Sequence, residues 1–156
     1  MIDMNECVQR LAMHEGIRLE PYICPAGYKT IGIGRNLETN PLTAEEKRVC
    51  GDYEHGITKQ AAFYLLRNDI NRVIKECKKG IPFFNYLDNE RQYALVDMAF
   101  NLGIKGLLKF KNMLSAMGVG NWNIASEECL NSKYAKDVGR RAKRIAETIR
   151  TGRFII

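Results

Sequence analysis

Glu20-Pro21-Tyr22-Ile23-Cys24-Pro25-Ala26-Gly27-Tyr28-Lys29-Thr30-Ile31-Gly32-Ile33-Gly34-Arg35-Asn36-Leu37 is the one stretch of this 156-residue chain where strand and turn chemistry gather. Tyrosines, isoleucines and a threonine surround the turn sequence Cys24-Pro25-Ala26-Gly27, a pattern that predicts a small antiparallel sheet. Alternation over Tyr28 to Gly34 sends Ile31 and Ile33 toward a core and sets Thr30, Gly32 and Gly34 on the opposite face. Two glycines beside a threonine make that face open, with room for a ligand against the backbone. A bulged or twisted edge strand is the other reading of the same glycines.

Outward from this segment the periodicity becomes helical. Asp3 and Glu6 have capping-box spacing, and Met4, Cys7, Val8, Leu11 and Ala12 recur on one face until Gly16, which predicts a helix over 3–15. Thr58 opens a long helix over 58–79, with Ala62, Leu66, Ile70, Val73 and Cys77 on one face and Lys78-Lys79-Gly80, then Pro82, closing it. The stretch from Asp88 to Leu102 is apolar on nearly every side and reads as a central buried helix. Three shorter helices follow over 107–117, 122–131 and 140–150. The expected class is α+β and mainly helical: one two-lobed domain over 1–156, with a sheet lobe over 16–57, a spine helix over 58–79 and a helical lobe over 80–156. The chain carries no repeat, no low-complexity run and no linker rich in proline or serine.

Composition narrows the functional classes. With 46% hydrophobic residues the chain can bury a core without covalent staples. Its five cysteines, Cys7, Cys24, Cys50, Cys77 and Cys129, are odd in number and show no paired metal-ligand spacing, which suggests free thiols in a reducing compartment. The first 13 residues are interrupted by Asp3, Glu6 and Arg10, and so read as neither signal peptide nor membrane span. A net charge of +6 favours polyanionic partners, among them nucleic acid, anionic lipid and the bacterial wall, without choosing between them.

Glu15 is the residue with the most chemistry in its position. It ends the first helix, where the negative end of the dipole opposes a second negative charge, so the sequence predicts a carboxyl that holds its proton. Partial burial would add to that, and a retained proton is what protonation of a leaving oxygen requires. An exposed glutamate at a helix end is the plainer alternative.

The stretch His14 to Tyr22 (HEGIRLEPY), the run Gly27 to Gly34 (GYKTIGIG), the junction Ile57-Thr58-Lys59 and the ending Arg141-Ala142-Lys143-Arg144 through Arg150-Thr151-Gly152 together resemble the phage-type lysozymes. The resemblance covers nearly the whole chain, with four motifs in the family's order. It implies a muramidase that cuts the β-1,4 bond between N-acetylmuramic acid and N-acetylglucosamine in peptidoglycan. It further implies a catalytic set of a glutamate, an aspartate or cysteine after eight intervening residues and a threonine after five more. Glu15, Cys24 and Thr30 stand at that spacing. Glu15 would protonate the glycosidic oxygen, while Cys24 and Thr30 manage the water or the opposite face of the sugar ring. Phe100, Asn101 and Arg141 match the family's substrate-binding positions, with asparagine replacing a longer amide, and Tyr134 stands where relatives carry an aromatic residue.

Two positions depart from the commoner family pattern. Cys24 replaces a carboxylate, and a thiol of ordinary pKa lacks the charge that an aspartate supplies. Arg35 stands where many relatives carry histidine, and it is expected to pair with Asp69, worth about 1 kcal/mol or less if the pair is partly exposed.

The resemblance implies no metal or organic cofactor, no nucleic-acid or membrane partner, and a monomer acting on peptidoglycan. It also implies an endolysin's role: accumulation in the host cytoplasm, then release to the wall by another protein. Rival readings are a wall-binding protein without catalysis, a basic nucleic-acid-binding domain built on Lys/Arg at 140–144, and a thiol-dependent enzyme using Cys24 with one of only two histidines, His14 or His55.

Overall fold

The computed structural model describes residues 2–154. The chain divides into two compact units, residues 4–71 and residues 72 onward joined by those before Met4. Among the described residues there are eight α-helices and one three-stranded sheet, the mainly helical α+β class read from the sequence.

In the unit of residues 4–71, helix α1 (Met4–Glu15) buries Cys7, Val8 and Leu11, one stripe at helical spacing. Strands β1 (Arg18–Ile23), β2 (Lys29–Gly32) and β3 (Arg35–Asn36) pair antiparallel in the order β1-β2-β3. Tyr22 lies opposite Thr30 and Ile31 opposite Arg35, with an irregularity in β1 between Arg18 and Tyr22. Ile31 and Ile33 are fully buried, as the alternation requires.

The other face is not open. Thr30 is buried, and Gly32 lies so near a helix that an added Cβ would stand 3.5 Å from the Cβ of Ala62 and 3.6 Å from Cδ1 of Ile57. The backbone at Gly32 also has φ +70°, which ends β2 there and turns Ile33 and Gly34 into the connection to β3. Glycine serves helix contact and chain reversal here, not ligand access.

Helix α2 (Ala44–Cys50), unforeseen in the sequence, starts at a complete capping box: the Glu46 N–H donates to Thr43 Oγ1 at 3.1 Å and the Thr43 N–H to Glu46 Oε1 at 3.0 Å. Helix α3 (Lys59–Gly80) begins where Thr58 Oγ1 accepts from the Ala61 N–H at 3.0 Å. Its five expected core residues, Ala62, Leu66, Ile70, Val73 and Cys77, are all buried.

Arg35 joins these elements. Its Nη2 donates to Glu46 Oε1 at 2.6 Å and its Nη1 to Glu46 Oε2 at 2.9 Å, a two-pronged pair, while Nη1 also lies 3.2 Å from Asp69 Oδ1. The carbonyls of Asn40 (2.8 Å) and Pro41 (3.3 Å) accept from the same guanidinium, and Asn68 Nδ2 donates to Glu46 Oε2 at 3.1 Å. The expected Asp69 partner is present, but Glu46 is the closer one, and the three charged side chains are only 6%, 4% and 5% exposed. A small surface-pair energy therefore does not apply.

In the second unit, α4 (Asn89–Leu108) is capped by Asp88, whose carboxylate accepts from the Arg91 N–H at 3.2 Å. Its stretch from Gln92 to Ala99 is buried throughout. Gly103 (φ 77°, ψ 159°) breaks it, and the short helical piece beyond the break buries Leu107. Helix α5 (Lys111–Gly118) therefore starts four residues later than the periodicity suggested. Helices α6 (Trp122–Leu130), α7 (Lys133–Val138) and α8 (Arg140–Thr151) complete the unit, α7 being unforeseen. The Arg91 guanidinium closes the C-terminal end of α8, donating to the carbonyls of Ile149 (2.7 Å) and Arg150 (3.2 Å) while lying over the Trp122 ring at 3.8 Å.

The Arg35 network predicts an acid-labile stability. Burial alone would push the Glu46 carboxyl up, but hydrogen bonds from Arg35, the Thr43 backbone and Asn68 outweigh it and bring the pKa from 4.5 to about 2. This lowered pKa contributes stability that is complete above about pH 4.5 and lost as the pH falls toward 2, on the order of 3 kcal/mol. Arg35 has its own pKa pushed up, its carboxylate partners outweighing burial, so the network stays charged on the alkaline side. Urea denaturation against pH is expected to show this acid limb, and a second loss of stability above about pH 9 as the buried thiols of Cys77 and Cys129, raised to about 12, are driven to ionise. Arg35→Met, which leaves Glu46 and Asp69 buried without their cation, is expected to cost about 3–5 kcal/mol at pH 7.

Candidate active site

Glu15 is the last residue of α1 and is half-buried. Cys24 follows the end of β1, and Thr30 lies on β2. All three belong to the same compact unit. The electrostatics of Tyr22, which faces Thr30 across the sheet, connect them. Its phenol pKa is raised by burial first and then by the negative charge of Glu15, lowered by Arg18, and raised again by Cys24. The Arg18 guanidinium lies 4.2 Å from the centre of the Tyr22 ring. Tyr22 and Arg18 were not singled out as site residues in the sequence, although both lie in the family-like stretch from His14 to Tyr22.

Cys24 has a local environment that the sequence alone does not reveal. Its N–H donates to the Tyr28 carbonyl at 2.9 Å and its carbonyl accepts from the Gly27 N–H at 2.8 Å, closing a tight loop over Pro25, Ala26 and Gly27. The N–H of Tyr28 lowers the thiol pKa below its ordinary 9.0, partial desolvation opposes this, and the Thr30 hydroxyl and the N–H groups of Ala26 and Gly27 lower it further. Thr30 Oγ1 also reaches the Tyr28 carbonyl, donating at 2.9 Å.

The other four cysteines are buried, and the described chain has no disulfide. Burial pushes Cys77 and Cys129 up to about 12, and Cys50 is raised by burial and by Glu46. They are core residues, as the sequence suggested. Among the described residues no group of three or more His, Cys, Asp or Glu side chains is placed to hold a metal ion.

Phe100, Asn101 and Arg141 belong to the second unit. Phe100 is half-buried and Asn101 exposed, in the last turn of α4 before its break at Gly103. Arg141, in the first turn of α8, is bonded through Nε to Asp97 Oδ1 at 2.8 Å. Asp97 is fully buried and was missed in the sequence, although it is the one charged residue of the run from Tyr93 to Phe100. Tyr134 is a packing residue, edge-on to Phe110 at 6.0 Å between ring centres.

The phage lysozyme family model matches residues 12–147. The pre-baseplate central spike protein Gp5 of Enterobacteria phage T4 is 32% identical over 157 residues, covering 92% of this chain and 27% of that protein. The chain thus spans about a quarter of the spike protein's length. A probable T4-type lysozyme 1 of Dictyostelium discoideum is 31% identical over 156 residues, covering 91% of this chain and 92% of that protein. An endolysin of Acyrthosiphon pisum secondary endosymbiont phage 1 is 30% identical over 131 residues, covering 82% and 77% respectively.

The contrast between Cys24 and the buried thiols gives a direct expectation. Under native conditions iodoacetamide should alkylate Cys24 alone, at a rate that rises with pH and levels off below the ordinary thiol value, because the anion is the nucleophile. Peptide mapping by mass spectrometry should find Cys7, Cys50, Cys77 and Cys129 modified only after denaturation.

Proposed function

The chain belongs to the phage lysozyme family, a lysozyme-type glycoside hydrolase acting on peptidoglycan, and we propose that it cuts the β-1,4 bond between N-acetylmuramic acid and N-acetylglucosamine with Glu15 as general acid. What supports this reading is that the family match spans Glu15, Cys24 and Thr30, which lie in one compact unit at the end of α1, just after β1 and on β2. An acid from a helix end and an anion-holding turn are thereby gathered in one compact unit. That is the pairing a glycosidase needs, one group to protonate the departing oxygen and a second to serve the attacking water.

On this reading the proton of the Glu15 carboxyl passes to the glycosidic oxygen as the bond to the muramic acid C1 breaks. Positive charge then develops on the ring. A water held by the Thr30 hydroxyl attacks C1 and gives its proton to the Cys24 thiolate, which becomes a thiol. Return of that proton to the Glu15 carboxylate through solvent restores the starting state. Backbone N–H groups of Ala26, Gly27 and Tyr28 supply the charge stabilisation that makes a thiol usable in this role. Phe100, Asn101 and Arg141 bind the glycan. The chain works as a monomer without a cofactor, and as an endolysin it is released to the wall by another protein late in infection; the named endolysin relative supports this role.

Glu15→Gln is expected to lower hydrolysis of purified peptidoglycan by about 10²–10⁴-fold, the usual contribution of a positioned general acid, while leaving the circular dichroism spectrum and melting temperature intact. Mass spectrometry of the digest should find reducing muramic acid ends from the parent protein alone. Substantial turnover by Glu15→Gln removes the acid assignment. Cys24→Asp is expected to retain or raise activity, and Cys24→Ala to lower it.

A further inference from the structure

Asp97 is the group in this molecule whose chemistry the reaction so far leaves unused. It is a carboxylate with no exposed surface, set in the apolar stretch of α4, and such a group is tolerated inside a protein only when its oxygens are satisfied. Both are. Tyr93, one helical turn earlier, donates its hydroxyl to Oδ2 at 2.8 Å, and Arg141 donates Nε–H to Oδ1 at 2.8 Å. The Tyr93 ring is itself held edge-on by Phe154, with centres 5.6 Å apart and planes at 84°.

We propose that Asp97, backed by Tyr93, is the positioning residue that aims the Arg141 guanidinium at the glycan. The inference rests on the reading of Arg141 as a substrate-binding residue. A guanidinium gripped through Nε by a buried carboxylate has its plane fixed along its inner edge, so the direction of its outer N–H groups is set before a ligand arrives. The side chain of Arg141 is 13% exposed and its Nη2 is enclosed, so the guanidinium is held in a defined orientation with little of it open to solvent. Asn101 lies four residues after Asp97, and Phe100 three, so helical spacing puts both one turn further along the face of α4 that Arg141 meets. The backbone of α8 is pinned to α4 at the other end as well, by Arg91 at Ile149 and Arg150.

Stability alone is a poor reason for this arrangement, since apolar residues of similar volume hold a core at least as well as a buried ion pair. Orientation is the property that only the charged pair supplies. Asp97 touches no substrate in this scheme and acts entirely through Arg141.

The test measures binding separately from turnover. In the non-hydrolysing Glu15→Gln protein, titration calorimetry with soluble glycan strands prepared from digested peptidoglycan is expected to show Asp97→Leu weakening binding about tenfold, the size of one lost charge-assisted hydrogen bond. Asp97→Asn, which keeps an acceptor oxygen, should recover part of the loss, and Tyr93→Phe should show a smaller one. Arg141→Met should weaken binding as Asp97→Leu does, and adding Asp97→Leu to it should change nothing more. Additive losses, or a folded Asp97→Leu protein that binds as the parent does, overturn the proposal. If Asp97→Leu does not fold, Asp97→Asn and Tyr93→Phe carry the same comparison, and unaltered binding in both is equally fatal. Should Glu15→Gln retain turnover while binding still depends jointly on Asp97 and Arg141, the acid assignment fails and this inference stands.

Discussion

The guanidinium of Arg35, buried with Glu46 and Asp69, is the constraint on which the sheet-bearing unit depends. It stands on β3, the shortest strand, whose two residues could not hold a position by ladder bonds alone. Through Glu46 it grips α2, through Asp69 it grips α3, and through the carbonyls of Asn40 and Pro41 it fixes the loop between β3 and α2. Thr30 pairs with Asn36, the neighbour of Arg35, so the strand that carries the site is registered against a strand locked by charge. Gly32 packs against Ala62 of α3 at ordinary van der Waals distance, and it is its positive φ of +70°, not a lack of room, that favours glycine there.

The unit beginning at Arg72 solves a related problem with the same residue type. Arg141 meets a buried carboxylate, and Arg91 caps a helix end while lying over Trp122. Arg91 satisfies groups at the ends of two different helices, Asp88 before α4 and the last carbonyls of α8, which a lysine ammonium without a planar fork would do less well. The two buried carboxylate clusters nonetheless differ in what they join. Glu46 is enclosed by donors from three neighbours and ties backbone to backbone. Asp97 accepts from the Arg141 Nε–H and the Tyr93 hydroxyl, contacts that tie side chain to side chain.

What the sequence disclosed divides along physical lines. Periodic burial was legible in the helix, where Ala62, Leu66, Ile70, Val73 and Cys77 lie as their spacing puts them, but not in the sheet, where Thr30 and Gly32 are buried along with Ile31, and Ile33 is in the turn beyond β2. Helices α2 and α7 were not legible either, because at seven and six residues neither spans enough turns to show a stripe. Their starts were nevertheless written in side chains, Thr43 with Glu46 for α2 and Ser132 accepting from the Ala135 N–H for α7. The apolar run ends α4 at Leu102, where Gly103 does break it, but does not show the short helical piece that resumes beyond the break to Leu108. At the site, Glu15, Cys24 and Thr30 came from family spacing, whereas Asp97 was overlooked because a carboxylate in an apolar run looks like an interruption until its two donors are seen.

Cys24 shows how a departure in residue type can leave a site's physics in place. The donors that lower its pKa are mainly backbone N–H groups of Tyr28, Ala26 and Gly27, fixed by the Cys24–Tyr28 and Gly27–Cys24 hydrogen bonds of the loop. Backbone donors do not depend on which side chain they face, so the loop stabilises an anion at position 24 whether that anion is a thiolate or a carboxylate. The exchange of oxygen for sulfur alters how readily the anion forms, and the loop offsets that change by lowering the pKa. The Thr30 hydroxyl donates to the Tyr28 carbonyl of the same loop, so the side chain facing Tyr22 across the sheet is tied to the turn that carries Cys24.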